Sequence, residues 1–576
     1  MDLDEVQEGM IGSWDTVVKG DELRSFKLKV LGVSPSFIGP KKPVIICEAI
    51  DAEQILNGPV GGMSGSPVYI DGKLVGAYAY GYTWPKEQAI IGVTPIDSMI
   101  EIVENFPPID PEKRYRKSYN NGREGLFKRQ AADLSEGSES LLSDFAFNNV
   151  DAPEAQNPFP LMVSGISQSV LDVFSKESAE AGIEWVVAPT ASSAPTSDWT
   201  EQESVNFNPG MPIAGVLMGG DFSITGVGTV TWKEGNKILG FGHPFLGAGD
   251  VQIPMAPARV ITIVRSVYRS FKLSNIGPVV GSIYQDRLTG IAGEIGREAP
   301  TIKVTYRVGD GNGKSESYSA EVFEHPSMSP LLSAIGLMQC LQTSLESNEE
   351  QTLYLKTKIK VRGQDSIQYK NVAVGSSGAM QLAFQLLGVM RALTDNPFEF
   401  PKIESLDCEV VMKPVQHFSF FDQITVESDV PAPAENLDVK LRIRNYLGEP
   451  VSHELSIPIP VGTKGEVLTM EIVDANSLGS NNMLIRPDMD TLSDIVRTAN
   501  EIKSSQNIYV RLLKKAQGLL IQGDEMVDLP PSVTHLFSTP KNAQYSSNTT
   551  EVVLWDTVIQ TEGVFFGSYR LNIEIK

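Results

Sequence analysis

The stretch Gly61-Gly62-Met63-Ser64-Gly65-Ser66-Pro67 sets a serine between glycines, with a small residue and a proline behind it. Glycine takes positive φ without the Cβ clash that stops other residues, so the backbone here can turn sharply. Successive N–H groups in such a turn converge on one point beside the Ser64 hydroxyl, which is how an oxyanion is held during acyl transfer. Val68-Tyr69-Ile70-Asp71-Gly72-Lys73-Leu74-Val75-Gly76-Ala77 follows, two apolar runs joined by Asp-Gly, a favoured pair for a two-residue hairpin turn. The serine loop therefore feeds a β-hairpin.

A serine nucleophile needs a base within reach whose pKa lies near neutrality. The chain has five histidines, His243, His325, His417, His453 and His535, and none precedes Ser64. His243 has the most suggestive setting. It follows the strand-like Lys237–Phe241, stands between Gly242 and Pro244, and runs into the Gly-rich Leu246-Gly247-Ala248-Gly249-Asp250. Small neighbours at a strand end leave an imidazole accessible. His325 and His535 read as loop residues, and His417 and His453 fall in a separate β region.

Two blocks of the chain resemble the sporulation stage IV B (SpoIVB-type) serine peptidases. One block is Gly62-Met63-Ser64-Gly65-Ser66-Pro67-Val68 with its hairpin, through Gly92-Val93-Thr94-Pro95-Ile96; the other is Gly240-Phe241-Gly242-His243 with Val280-Gly281-Ser282-Ile283 and Thr289-Gly290-Ile291-Ala292-Gly293. In the family the His segment precedes the Ser segment, and here the order is reversed, as in a circular permutation, which barrel halves tolerate when chain ends lie close. The resemblance implies a chymotrypsin-like double β-barrel in permuted order. It implies Ser64 as nucleophile, His243 as general base, and the N–H groups of Gly62 and Ser64 as oxyanion donors. Asp51 lies nearest to the place of the family's acidic residue, though slightly closer to the serine, and it reads equally as a turn residue or helix cap. Asp250 and Asp286, in the His-bearing block, are rivals for that role. The family's PDZ module has no counterpart here; Asn208–Leu217 reads as a barrel strand.

At 576 residues the chain is too long for one core. Its 50 Gly and 36 Pro fit a turn-rich, mainly β body with some α. A net charge of −23 repels phosphates and so argues against nucleic acid or anionic membrane as partner. Cys47, Cys340 and Cys408 lack metal-ligand spacing, and Cys47 and Cys340 read as buried thiols. No metal or organic cofactor is implied. No apolar run is long enough for a transmembrane helix. The acidic Met1-Asp2-Leu3-Asp4-Glu5 has no apolar signal region, which suits a mature start of an extracytoplasmic protein, with a cytoplasmic one as the alternative.

Along the chain, 1–106 reads as a Ser-bearing β-barrel half that ends in a short helix near Ser98–Glu104. A linker or irregular excursion over 107–160 carries the basic Lys113–Lys117 and the Ser/Glu-rich Leu134–Ser143. A His-bearing barrel half, 161–326, starts with a helix over Gln168–Ala181. A helix/strand domain spans 327–404, with helices at Ser327–Ser344 and 378–394 and strands at Thr352–Val361 and Ile367–Val374. A β-sandwich-like domain at 405–480 and an α/β segment at 481–576, with a helix over Thr491–Lys503 capped by Asp490 or Thr491, complete the accessory region. The expected function is a serine endopeptidase acting on a protein or peptide. The competing expectation is a catalytically inactive peptidase-like scaffold that binds a protein partner at the cell envelope.

Overall fold

The computed structural model describes residues 1–81, 89–108, 159–174, 183–187, 199–200, 206–265, 270–344, 350–396, 398–426, 431–478, 489, 491–521, 524–527, 532 and 546–576. The expected linker over 107–160 lies outside the described residues except at its two ends, as does Asp490. The protein is mainly β, with several sheets. It divides into two compact units: the described residues up to Val304 with Ser319–Gly336, and Thr305–Tyr318 with Leu337–Lys576.

The first unit opens with β1 (Ile11–Lys19), β2 (Glu22–Gly39), β3 (Lys42–Ala49), helix α1 (Ala52–Asn57), β4 (Val60–Gly61), β5 (Pro67–Ile70), β6 (Lys73–Gly81), β7 (Ile90–Pro95) and helix α2 (Ile96–Asn105). Six of these strands close an antiparallel barrel in the order β1-β2-β3-β7-β6-β5. Alternation drives the closure: Phe26, Leu28 and Val30 of β2 point in, while Lys27 and Lys29 point out. Trp14 is wholly buried at the centre, stacked at 5.4 Å on Phe26 and 5.7 Å on Tyr78. Between β5 and β6, Ile70 pairs with Lys73 across a two-residue turn in which Asp71 (φ +51°) and Gly72 (φ +73°) are both left-handed. This is the twist-compatible turn that Asp-Gly predicts.

A second set comprises β8 (Phe159–Ser164), α3 (Gln168–Val173), β9 (Ile183–Val187), β10 (Pro212–Gly220), β11 (Ser223–Glu234), β12 (Lys237–Gly240), β13 (Gly249–Val264), β14 (Ser270–Ile276), β15 (Gly281–Arg287) and β16 (Gly290–Ile295). The strands run β10-β11-β12-β16-β15-β13, and β10 also pairs with β13 through Ile213–Gly215 against Met255–Pro257. Six strands thus hydrogen-bond in a ring. β14 leaves the ring beside β13 and pairs in parallel with β4, Ser270 opposite Val60 and Phe271 opposite Gly61. The strand that introduces the serine loop is therefore stitched to the His-bearing sheet. Helix α3 ends at Val173, well short of the expected Ala181, and 175–182 lie outside the described residues.

In the second unit, Thr352–Val361, Ile367–Val374 and Ile403–Lys413 form adjacent strands, with helix Gly378–Thr394 packed on the first two. The C-terminal strands bury one shared core, in which Leu437, Val439, Leu441 and Ile457 meet Leu468, Met470, Val510, Leu512 and Ile573. The expected break at 480 therefore falls inside a single core: two half-buried sheets cover each other, and neither closes alone. The strand at 403–413 joins the helix/strand layer rather than the sandwich. Helix Leu492–Asn500 starts at Thr491 with a full capping box to Asp494, and Asn500 Oδ1 accepts from Gln368 N at 2.8 Å. None of the three cysteines is in a disulfide, and all three are buried. No helix among the described residues is long and apolar enough to cross a membrane.

Candidate active site

The serine loop is held from three sides. Met63 is wholly buried in the first barrel's core and anchors the loop from below. Gly65 N donates to Tyr78 O of β6 at 2.7 Å, and Tyr78 N donates to Ser66 O at 2.9 Å. From the other side, β11 takes the loop carbonyls. Thr229 N donates to Ser64 O at 2.8 Å, Thr229 Oγ1 to Gly62 O at 2.8 Å and Thr231 Oγ1 to Gly65 O at 2.7 Å. Met63 N is spent on Val60 O and Ser66 N on Met63 O, but the Gly62 and Ser64 amides donate to no turn or loop acceptor among the described residues. Ser64 is only 7 % exposed, and its hydroxyl makes no hydrogen bond with a described residue, His243 included.

His243 sits on a strained turn. Phe241 has φ +68°, and Gly242 N donates to Gly240 O across it at 2.8 Å, a γ-turn of the rarer, left-handed kind. The turn sends the Phe241 ring into the core, edge-on to Phe245 at 5.5 Å, and leaves His243 half-buried with its ring 6.4 Å from that of Tyr80. Gly242 (φ +73°) rests on β6: a Cβ there would stand 3.0 Å from the Cβ atoms of both Ala77 and Ala79. Thr94 Oγ1 of β7 donates to Gly242 O at 2.6 Å. Strand β6 therefore carries both segments within four residues, the serine loop at Tyr78 and the histidine turn at Ala77 and Ala79. Gly65 touches the turn directly, with an added Cβ only 2.4 Å from Phe241 N.

The His243 ring nitrogen Nδ1 lies 2.7 Å from Pro244 O. A carbonyl can only accept, so Nδ1 carries the hydrogen, and in the neutral ring the lone pair then lies on Nε2. That is the tautomer a general base requires. The acidic residues proposed from sequence do other work. Asp51 is the N-cap of α1, its carboxylate accepting from Glu53 N at 3.1 Å; it makes no hydrogen bond to His243 and does not take the third place of a triad here. The helix-cap reading of Asp51 is the one the geometry follows. Asp250 accepts from Gln285 Nε2 at 2.7 Å and pairs with Arg287 at 3.3 Å. Asp286 is buried and accepts from Phe245 N at 2.7 Å, Leu246 N at 2.6 Å and Ala248 N at 3.2 Å, so it shapes the loop that follows His243. Burial pushes its carboxyl above the ordinary range, opposed by those backbone donors.

One residue of the site escaped the sequence reading. Lys272 of β14 is 1 % exposed, its stem lies against Gly62, and its Nζ reaches Thr16 Oγ1 at 2.7 Å and Thr229 Oγ1 at 3.2 Å. In Ser270–Ile276 the polar Ser270, Lys272 and Ser274 face in and Phe271 and Leu273 are half-exposed, an inversion of the usual pattern that period-2 reading assigns to the wrong face. Desolvation draws the Lys272 amine down to about 7. Between that value and the ordinary lysine range, near 10.5, the unfolded chain holds a proton that the native one does not. Stability should therefore rise with pH across this window, by roughly 1.4 kcal/mol per unit at its steepest, and be flat below it. Measured as urea midpoints, the stability difference between wild type and Lys272→Met should move in favour of wild type from pH 7 to pH 10. A pH-independent difference would mean that burying the charged amine carries no penalty.

No family model, curated protein or solved structure matches the chain. Among the described residues no group of three His, Cys, Asp or Glu is arranged to hold a metal ion.

Proposed function

We propose that this protein is a serine endopeptidase, built as a permuted chymotrypsin-like pair of barrels, with Ser64 as nucleophile and His243 as general base. One observation carries the reading: β6 holds the serine loop and the histidine turn side by side over Ala77–Tyr80, although the two lie far apart in the chain. The two six-stranded rings are what such a pair of barrels requires.

In this reading Ser64 Oγ attacks the scissile carbonyl carbon and gives its proton to His243 Nε2. The developing oxyanion is received by the Gly62 and Ser64 amides, the two left over once the loop's turn bonds are made. Collapse breaks the C–N bond, and His243 passes the proton to the leaving amine. Water then attacks the acyl-enzyme, with His243 taking its proton and returning one to Ser64 Oγ. Pro244 O holds the imidazole tautomer in place of a carboxylate, and Asp286 fixes the loop behind it.

The competing reading, an inactive scaffold that binds a protein partner at the cell envelope, is favoured by the near-complete burial of Ser64 and by a hydroxyl that makes no hydrogen bond among the described residues. A fluorophosphonate probe separates the two. It should label Ser64 in the folded wild type, and Ser64→Ala should lose the label. A folded protein that stays unlabelled selects the scaffold.

A further inference from the structure

Lys272 is buried, and among the described residues its Nζ has the hydroxyls of Thr16 and Thr229, and no carboxylate, as hydrogen-bond partners. The Thr229 hydroxyl has one hydrogen and gives it to Gly62 O, so from Lys272 it can only accept. A chain of donation thus runs from Lys272 Nζ through Thr229 Oγ1 to Gly62 O. The Gly62 carbonyl belongs to the peptide that lies between the amides of Gly62 and Ser64, which have no turn or loop acceptor among the described residues. The N–H of the same peptide, on Met63, is tied to Val60 O. Thr229 also donates its backbone N–H to Ser64 O, so this threonine grips the loop on either side of the nucleophile's amide. Gly62, at φ +91° and without a Cβ, lets the Lys272 stem lie against the loop; an added Cβ would stand 3.2 Å from Lys272 Cβ.

We infer that Lys272 is a positioning residue for the oxyanion loop, orienting the Thr229 hydroxyl so that the Gly62–Met63 peptide stays fixed and the Gly62 and Ser64 amides converge. The stoichiometry suits an amine: the neutral form has two hydrogens for two hydroxyl acceptors, whereas an ammonium leaves a third hydrogen without a partner among these contacts. Burial, which draws the Lys272 pKa toward neutrality, favours the same form. The catalytic half of this inference rests on the peptidase reading; the mechanical half does not.

Amide hydrogen exchange over residues 60–66 is to be measured in parallel with the rate of fluorophosphonate labelling, in wild type, Lys272→Met, Thr229→Val, Thr229→Ser and the double variant Lys272→Met/Thr229→Val. Lys272→Met keeps the stem and removes the donor. It should speed exchange at Met63, Gly65 and Ser66 by about 10-fold or more and slow labelling by about 10- to 100-fold, somewhat less than outright loss of an oxyanion donor. Thr229→Val should do at least as much, Thr229→Ser should stay near wild type, and the double variant should be no worse than Thr229→Val. Wild-type exchange in Lys272→Met overturns the inference, as does a double variant whose losses multiply. Should Lys272→Met fail to fold, wild-type exchange in Thr229→Val overturns it instead. A wild type that never labels but shows the stated exchange pattern sinks the peptidase reading and leaves the Lys272 linkage standing.

Discussion

On the proposed peptidase reading, His243→Ala should lower fluorophosphonate labelling and casein hydrolysis by about 10⁴-fold or more, because a general base acts as a unit with its nucleophile. The fold should survive the change. His243 is half-buried at the end of a turn whose shape is set by Phe241 and Gly242, and the turn is pinned by Thr94 through the Gly242 carbonyl, not through the imidazole. Added imidazole should restore part of the activity to His243→Ala and none to Ser64→Ala, since a small base can enter where the ring stood but cannot replace a nucleophile. Retention of wild-type activity by His243→Ala, with its circular dichroism unchanged, would remove His243 from the mechanism.

Gly65→Ala should destabilise the protein by roughly 3 kcal/mol or more. The new Cβ would stand 2.0 Å from Thr229 O and 2.4 Å from Phe241 N, both backbone atoms that cannot swing aside, at a φ of +93° that L-residues avoid. Gly72→Ala separates the two causes. Gly72 has φ +73° with nothing within 4 Å of an added Cβ, so it should lose only the conformational part, about 1 kcal/mol. Urea midpoints of both variants measure the difference. Equal losses would mean that the close approach of the serine loop to the histidine turn is not a structural constraint, and with it would go the main support for a shared site.

Much of the fold was legible locally. In β2 the alternation of Phe26, Leu28 and Val30 with lysines states which face is buried. Asp71-Gly72 states a left-handed two-residue turn. The amphipathic run that follows Asp490 and Thr491 states where a helix begins. The strands at Thr352–Val361 and Ile367–Val374 follow the same rule, and in each case the deciding interactions lie within a few residues. The break expected at 480 fails for the opposite reason. Leu437–Ile443 shows one buried face, but the sheet that covers it combines Leu468 and Met470 with Val510, Leu512 and Ile573, which lie beyond the expected break.

The sequence by itself determined that a glycine-bordered serine would lie in a tight loop feeding a hairpin, and that His243 would follow a strand end between Gly242 and Pro244. Backbone freedom and apolar period act over short distances, and a string of residues records them directly. Only the tertiary structure decided that β6 carries both segments, that Asp51 caps a helix while Pro244 and Asp286 hold the histidine loop, and that Lys272 turns inward beneath Gly62. Those outcomes depend on which carbonyls, hydroxyls and amines remain without water once distant strands close over them, and the desolvation that enforces their pairing exists only in the packed molecule.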